Sequence, residues 1–288
     1  LLSGLMNDEI DILAGNVASL QLSDWDMAQQ QQNLTCVSTE SVGYQYMAIN
    51  TEKDYLPPKV RQAIDMAINR DAIVSGLLKG EGEPAFGPFA TSHKYYDDVV
   101  NVGYNPEKAK ELLAEAGYPD GFEVTLDAPN DRYMNDEQIA QAVAGYLEKV
   151  GIKVNLNLMP KANFFSYIKP LENKSMFLMT GWSDASGDGL SLMHDMLYTY
   201  DREAGNGGVN RGHYSNAQVD ALIDQAFTEM DDTKRGELVA EADKIAREDY
   251  AYIPLHFEQD TYAIKDTLNY TPRMNKYVYA WSSLTNKS

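Results

Sequence analysis

The chain has 288 residues, enough for one large domain or two ordinary ones, and its 44% hydrophobic and 23% charged residues are a globular balance. The net charge of −19, from 43 acidic against 24 basic residues, argues against nucleic acid or anionic lipid as partners, since both need clustered Lys and Arg. A single cysteine, Cys36, excludes an internal disulfide and any multi-cysteine zinc site, and no apolar run approaches the roughly 18 residues of a membrane span.

The chain opens Leu1-Leu2-Ser3-Gly4, without an initiator methionine or a signal-peptide pattern, and reads as a fragment or a processed product. The glutamine run Gln29–Gln32 is expected on an exposed helix face, and Cys36 is expected buried as a small hydrophobe. The first clear helix opens at Pro57-Pro58, where a first-turn proline costs nothing, and carries Val60, Ala63, Ile64, Ala67 and Ile68 on one face. A second starts at Asp71 and stops at Gly80. A third has Asn105 as cap, Pro106 at its first position and Gly117 at its end. Phe122 to Leu126 alternates as a strand, a helix follows from about 136 to 150, and Ile152 to Leu158 alternates again. Strand, helix and strand at this spacing form a βαβ unit. Met176 to Trp182 reads as a buried strand that runs into a Gly/Asp/Ser loop. Two antiparallel helices are expected at about 216–230 and 233–248, then a strand at Tyr252-Ile253-Pro254-Leu255-His256, then a Tyr-rich tail of β-formers. The alternation predicts an α/β fold.

Catalytic motifs are mostly absent. There is no His-Glu-x-x-His, no Gly-x-Ser-x-Gly elbow and no phosphate loop; His93, His194, His213 and His256 lack metal-ligand spacing. Neither a cofactor nor a metal is expected. Asp184, Ser186, Asp188 and Gly189 match the first positions of a calcium loop, but Asp195 stands where a bidentate Glu is needed and a strand precedes it instead of a helix. A polar loop at a strand's carboxyl end is the better reading, and that is where ligands gather in open α/β sheets. Trp182, Asp184 and Asp188 would offer an aromatic face and carboxylates to a cationic group there; the competing reading packs Trp182 in the core and solvates both aspartates.

Several segments together resemble family 5 of the extracytoplasmic solute-binding proteins, the dipeptide, oligopeptide and nickel uptake class. YMAINT at 46–51 followed by PPKVRQAIDMAINRDAI at 57–73 is similar to the family's most characteristic stretch, and YNPEKAKELLAEAGY at 104–118 to its second. GIKV at 151–154, GW at 181–182, YSN at 214–216 and IPL at 253–255 follow in the family's order. The resemblance covers nearly the whole chain from about residue 44.

The resemblance implies a periplasmic-binding-protein-like two-lobe fold (class II) around a cleft, with one complete lobe here and remnants of the other. The chain would cross between lobes near 44–50 and 255–263. Residues 1–42 would be a remnant of the first lobe, 43–256 the second lobe, and 257–288 the return segment. It implies a monomeric, periplasmic or membrane-tethered extracellular component of an ABC importer. That component would capture a peptide, a glutathione-like, opine or sugar conjugate, or a nickel chelate, and deliver it to a permease. In the peptide-binding members an arginine after a strand pairs with the ligand's carboxylate, and Arg132, in Asn130-Asp131-Arg132-Tyr133, sits at the matching place. A guanidinium suits the task because its planar fork makes two charge-assisted bonds; the competing reading is a surface arginine paired with Asp131 or Asp136. Those members also hold the ligand's amino group with an aspartate shortly after Gly-Trp, which leaves Asp184 and Asp188 both open here. Where the family has Asp-Pro, this chain has Asp188-Gly189. The rival readings are a hydrolase or transferase working in an α/β cleft and a sensory or chaperone-like binding domain.

Overall fold

The computed structural model describes residues 1–14, 20, 22–91, 93–95, 102–168, 175–184, 186–273, 277–279 and 284–286. Part of the expected return segment, at 274–276, 280–283 and 287–288, lies outside the described residues, as does position 185 of the Trp182 loop.

The frame is a mixed sheet. Its strands are β1 (Ile12–Leu13), β2 (Leu34–Ile49), β3 (Gly82–Pro84), β4 (Phe122–Pro129), β5 (Ile152–Met159), β6 (Phe177–Ser183) and β7 (Tyr252–Lys265). They are ordered β1-β7-β2-β6-β4-β5, with β3 also paired to β7. Strand β2 runs antiparallel to β6 and β7, while β4 runs parallel to both β5 and β6. A second pair, β8 (Leu268–Tyr270) with β9 (Leu284–Asn286), stands apart from this sheet.

Alternation along the strands divides the core between two faces. Met47, Ile49, Val124, Leu126, Ile152, Phe177 and Ile253 belong to one cluster, with helices α3 (Pro58–Ala67), α5 (Pro106–Glu115) and α6 (Asp136–Lys149) contributing Ile64, Leu112 and Val143. Helices α1 (Leu2–Met6) and α2 (Leu22–Gln29) add Leu5 and Trp25 to the same cluster. Tyr44, Tyr46, Ala48, Leu178 and Tyr252 face the other way. They pack with α7 (Lys161–Tyr167), α8 (Leu190–Leu197), α9 (Ala217–Thr228) and α10 (Asp232–Glu248) through Phe164, Met193, Ile223 and Ala242. The sheet is thus a middle layer between two helical layers. Among the described residues no helix is long and apolar enough to cross a membrane.

The expected punctuation is visible in the backbone. Asn105 accepts from the Lys108 amide at 2.9 Å, Asn216 from the Gln218 amide at 3.0 Å, and Asp231 from the Thr233 amide at 3.0 Å, each capping the helix that follows. Strands β4 and β5 pair in parallel from Phe122↔Ile152 onward with α6 between them, as the βαβ reading requires. Three expectations need correction. The helix read from Asp71 is one short α4 turn (Arg70–Ala72) that widens into a π-helical turn at Ile73–Leu77. Only Gln29 of the glutamine run is helical, ending α2. Cys36 is half-buried against the larger cluster, and that burial pushes its thiol's pKa up.

Gly121 turns the chain into β4 at φ +74°, directly against the turn into β5; a Cβ there would lie 1.7 Å from the Gly151 carbonyl oxygen. Gly121→Ala is therefore expected to cost at least about 2 kcal/mol, lowering Tm by roughly 4 °C or more. Gly145→Ala, on α6 with open space around it, should be neutral or stabilising by about 0.5–1 kcal/mol. Thermal unfolding of the two variants side by side checks the pair, and equal midpoints would remove the steric argument.

Candidate functional site

Two cavities, each of about 490 Å³, adjoin where the loop after β4 meets β7. They share Arg132, Tyr133 and Glu258 on their walls.

The loop is held from below. Asp136, buried at the start of α6, accepts from the Arg132 amide at 2.8 Å and the Tyr133 amide at 2.9 Å. Asn135 takes a left-handed φ of 52° and donates its side-chain amide to the Leu77 carbonyl at 2.6 Å. The Tyr133 hydroxyl lies 3.2 Å from both Thr180 Oγ1 and the Gly181 carbonyl, which ties the loop to β6. The Arg132 guanidinium lies over the Tyr133 ring, 4.8 Å from its centre, with the side chain exposed to the cavities. The reading that pairs Arg132 with Asp131 or Asp136 is not what the geometry shows, since Asp136 accepts from the backbone of this loop and Asp131 from the Lys161 amide at 2.5 Å.

The first cavity is basic. Among the described residues Arg132, Lys161, Arg211 and one carboxylate, Glu258, line it, with Trp182 and Phe165 as aromatic walls. Lys161 is the first residue of α7. Arg211 is anchored by donating from Nη1 to the Ile168 carbonyl at 2.8 Å, and burial lowers its pKa from the usual guanidinium value. Trp182 is half-buried and paired in register with Tyr44. At the neighbouring position a Cβ on Gly181 would lie 2.3 Å from the Gln45 side-chain nitrogen, so any larger residue there would displace the Gln45 side chain.

The second cavity is acidic, lined by Glu81, Asp131, Asp136, Glu258 and Asp260 beside Arg132. His256 forms part of its wall; the imidazole is 3% exposed and its Nδ1 has no hydrogen-bond partner. Desolvation lowers its pKa to about 4 against the opposing pull of Glu258, so it is neutral at physiological pH.

The two aspartates of the Trp182 loop line neither cavity. Asp184 is buried and accepts from the Gly189 amide at 2.7 Å and the Ser186 amide at 3.0 Å. Asp188 accepts from the Leu190 amide and from Ser186 Oγ, both at 3.0 Å, and so supports the start of α8. These contacts knit the loop to itself. Among the described residues no group of His, Cys, Asp or Glu is arranged to hold a metal ion. Sequence reasoning missed Lys161, Arg211 and Glu258, whose only signal was their charge.

Comparison with known proteins gives consistent findings. Residues 2–204 match the family described as bacterial extracellular solute-binding proteins, family 5 middle. Glutathione-binding protein GsiB of Salmonella choleraesuis (strain SC-B67) is 30% identical over 234 residues, 80% of this chain and 45% of that protein. Heme-binding protein A of Haemophilus influenzae is 30% identical over 252 residues, 85% of this chain and 44% of that one. The periplasmic binding protein DppA from Helicobacter pylori, solved with the peptide STSA, superposes with a TM-score of 0.85 at 21% identity over 100% of this chain and 55% of its own. The chain therefore has the fold of part of a two-lobe periplasmic binding protein and spans about half the length of the curated relatives it matches.

The neutral His256 has a pH consequence. Its pKa is about 4 folded against roughly 6.5 unfolded. As pH falls below 6.5 the unfolded chain takes up this proton first, so stability drops between pH 6.5 and 4. Between pH 7.5 and pH 5 this group alone should remove about 2 kcal/mol. Urea unfolding of the parent and of His256→Gln at both pH values measures it. The variant should lose less stability than the parent, and parallel losses would mean that His256 is not the group responsible.

Proposed function

The chain belongs to family 5 of the bacterial extracellular solute-binding proteins, and we propose that it captures a small polar solute outside the cytoplasmic membrane for delivery to an ABC permease. The basic cavity carries this reading. It brings Arg132 and Trp182 together with Arg211 and Lys161 on one wall, next to a loop fixed from both sides. Such a wall offers charge-assisted bonds to an anionic group and aromatic surface to an apolar one. A peptide or glutathione-like solute fits this chemistry, and the named relatives are binding proteins for glutathione, heme and a peptide. A periplasmic or membrane-tethered location goes with the role.

The proposed division places residues 43–256 in one lobe, with 1–42 and 257–288 belonging to the other. A break in pairing supports the boundary. Strands β2 and β7 pair in register from Leu34↔Lys265 to Glu40↔Gln259 and resume at Tyr44↔Phe257, so Ser41, Val42 and Gly43 face Glu258 alone, and a second shift follows between Gln45 and Tyr46. Irregular pairing bends and twists a strand pair locally, which suits a hinge between lobes. In this proposal Asp184 and Asp188 shape the Trp182 loop, and contact with the solute falls to Arg132 and Trp182.

Thermal unfolding of the chain against a panel of di- and tripeptides, glutathione, sugar conjugates and nickel complexes is the test. A true ligand at about 100 times its dissociation constant adds about 2.7 kcal/mol. In the Arg132→Ala variant, affinity for the best anionic ligand should fall about tenfold or more, the worth of one charged hydrogen bond. Undiminished affinity would take Arg132 out of the site, and turnover of a bound ligand would replace capture by catalysis.

A further inference from the structure

The loop that carries Arg132 is fastened at several points. The Asn130 amide donates to the Met159 carbonyl at 3.1 Å, and Asp131 accepts from the Lys161 amide at 2.5 Å. Asp136 takes the amides of Arg132 and Tyr133, and Asn135 reaches the Leu77 carbonyl. The loop is thus tied to β5, α7, α6 and the π-helical turn. These ties fix where the Arg132 side chain starts. They do not fix where it ends, because the guanidinium stands on a long flexible stem at an exposed position.

The Tyr133 ring supplies the missing constraint. The guanidinium lies over it, 4.8 Å from the ring centre. The ring is itself held at both ends, by its backbone amide on Asp136 and by its hydroxyl, 3.2 Å from Thr180 Oγ1 and from the Gly181 carbonyl of β6. Next along β6 stands Trp182, on the wall of the same cavity. An arginine held by an acid uses its N–H donors on that acid. One held by an aromatic face keeps its planar fork for an incoming carboxylate. It also loses less freedom when that carboxylate arrives, because the ring has restricted it beforehand.

We propose that Tyr133 is a positioning residue: its ring aims the Arg132 guanidinium at a carboxylate of the solute, and so sets the preference for acidic over neutral ligands. This rests on the reading of the basic cavity as the solute site. Tyr133 acts through Arg132, whereas the tie from its hydroxyl to β6 serves the stability of the loop.

Calorimetric titration of the whole 288-residue chain with the tripeptide Ala-Ala-Phe and with its C-terminal amide measures the preference for a carboxylate. The parent should favour the free acid by about tenfold or more. Tyr133→Phe and Tyr133→Leu both lose the hydroxyl tie, so the difference between them reads the ring alone. Tyr133 stands in a loop outside the two large core clusters, which both substitutions leave in place. The preference should stay within about twofold of the parent in Tyr133→Phe and fall by about threefold or more in Tyr133→Leu. With Arg132→Gln in the background, Tyr133→Leu should change acid and amide binding equally. NMR relaxation at the arginine Nε–H groups adds a readout that needs no ligand, with the Arg132 signal assigned by its loss in Arg132→Gln. Arg132 should be ordered in the parent and in Tyr133→Phe, and mobile in Tyr133→Leu. Equal order and equal preference in the Phe and Leu variants would overturn the role of the ring while leaving solute capture intact. A parent that binds neither peptide, or does not distinguish acid from amide, would overturn carboxylate recognition at this site and the role of Tyr133 with it, however ordered Arg132 proves to be.

Discussion

The pairing of β2 with β7 is the constraint on which the rest depends. The two strands come from opposite ends of the chain and run side by side for most of their length. Every other strand of the sheet is placed relative to them: β1 and β3 lie on β7, and β6 lies on β2 and carries β4 and β5 outward. Joining segments so distant in sequence costs loop entropy before any contact rewards it. Buried polar anchors help to fix the result. Arg61 donates to the carbonyls of Leu56, Asp249 and Tyr250, and Arg70 donates to the Pro254 carbonyl and pairs with Asp65. Both arginines belong to the stretch at 57–73 by which the sequence most resembles its family. That stretch is therefore a structural fastening. It satisfies the orphan carbonyls where the chain enters β7, and it lines neither cavity.

Local signals made much of this fold legible. Helices α3 and α5 carry proline at the start and an apolar face at helical spacing, and the β4–α6–β5 unit has clean alternation on both sides of an amphipathic helix. Elements without such signals stayed hidden. Helix α8 does carry Leu190, Met193 and Leu197 at helical spacing against the second core cluster, but at eight residues after a Gly/Asp/Ser loop the run is too short to stand out. The first half of β2 is partly exposed and rich in Thr, Ser and Glu, and its order comes from β7, far away in sequence. Past Arg70 the helical pattern was real, but the backbone widened into a π-turn that sequence periodicity cannot distinguish.

The site was legible where one residue sits in a recognisable frame. Arg132 follows the end of β4, Trp182 stands near the end of β6, and both line the basic cavity. Asp184 and Asp188 looked like ligand carboxylates by spacing, yet a short Gly/Ser loop offers backbone amides that an aspartate side chain accepts from first. Lys161 and Arg211 join Arg132 only through the tertiary fold: one opens a helix after Pro160, the other sits in an irregular segment. Neither has a period or a motif to mark it. Charge sign is similarly invisible in composition. An overall balance of −19 hides one cavity of each sign, and only the fold sorts the charges between them.

In the proposed role, the place where the strand pair loses register is also a place where the two cavities meet. Glu258 faces the irregular stretch 41–43, accepts from Gln45 Nε2 at 2.5 Å and lines both cavities. A second register shift follows between Gln45 and Tyr46, so two irregularities lie close together, with unbroken pairing from Leu34 to Glu40 and from Tyr46 to Ala48. A ligand shifts a conformational equilibrium only by its difference in affinity between the two forms. A carboxylate beside the hinge, facing a basic compartment on one side and an acidic one on the other, gives a charged solute such a difference. On this proposal the solute's charge would act on the hinge directly through Glu258, with no chain of packed residues needed to relay it.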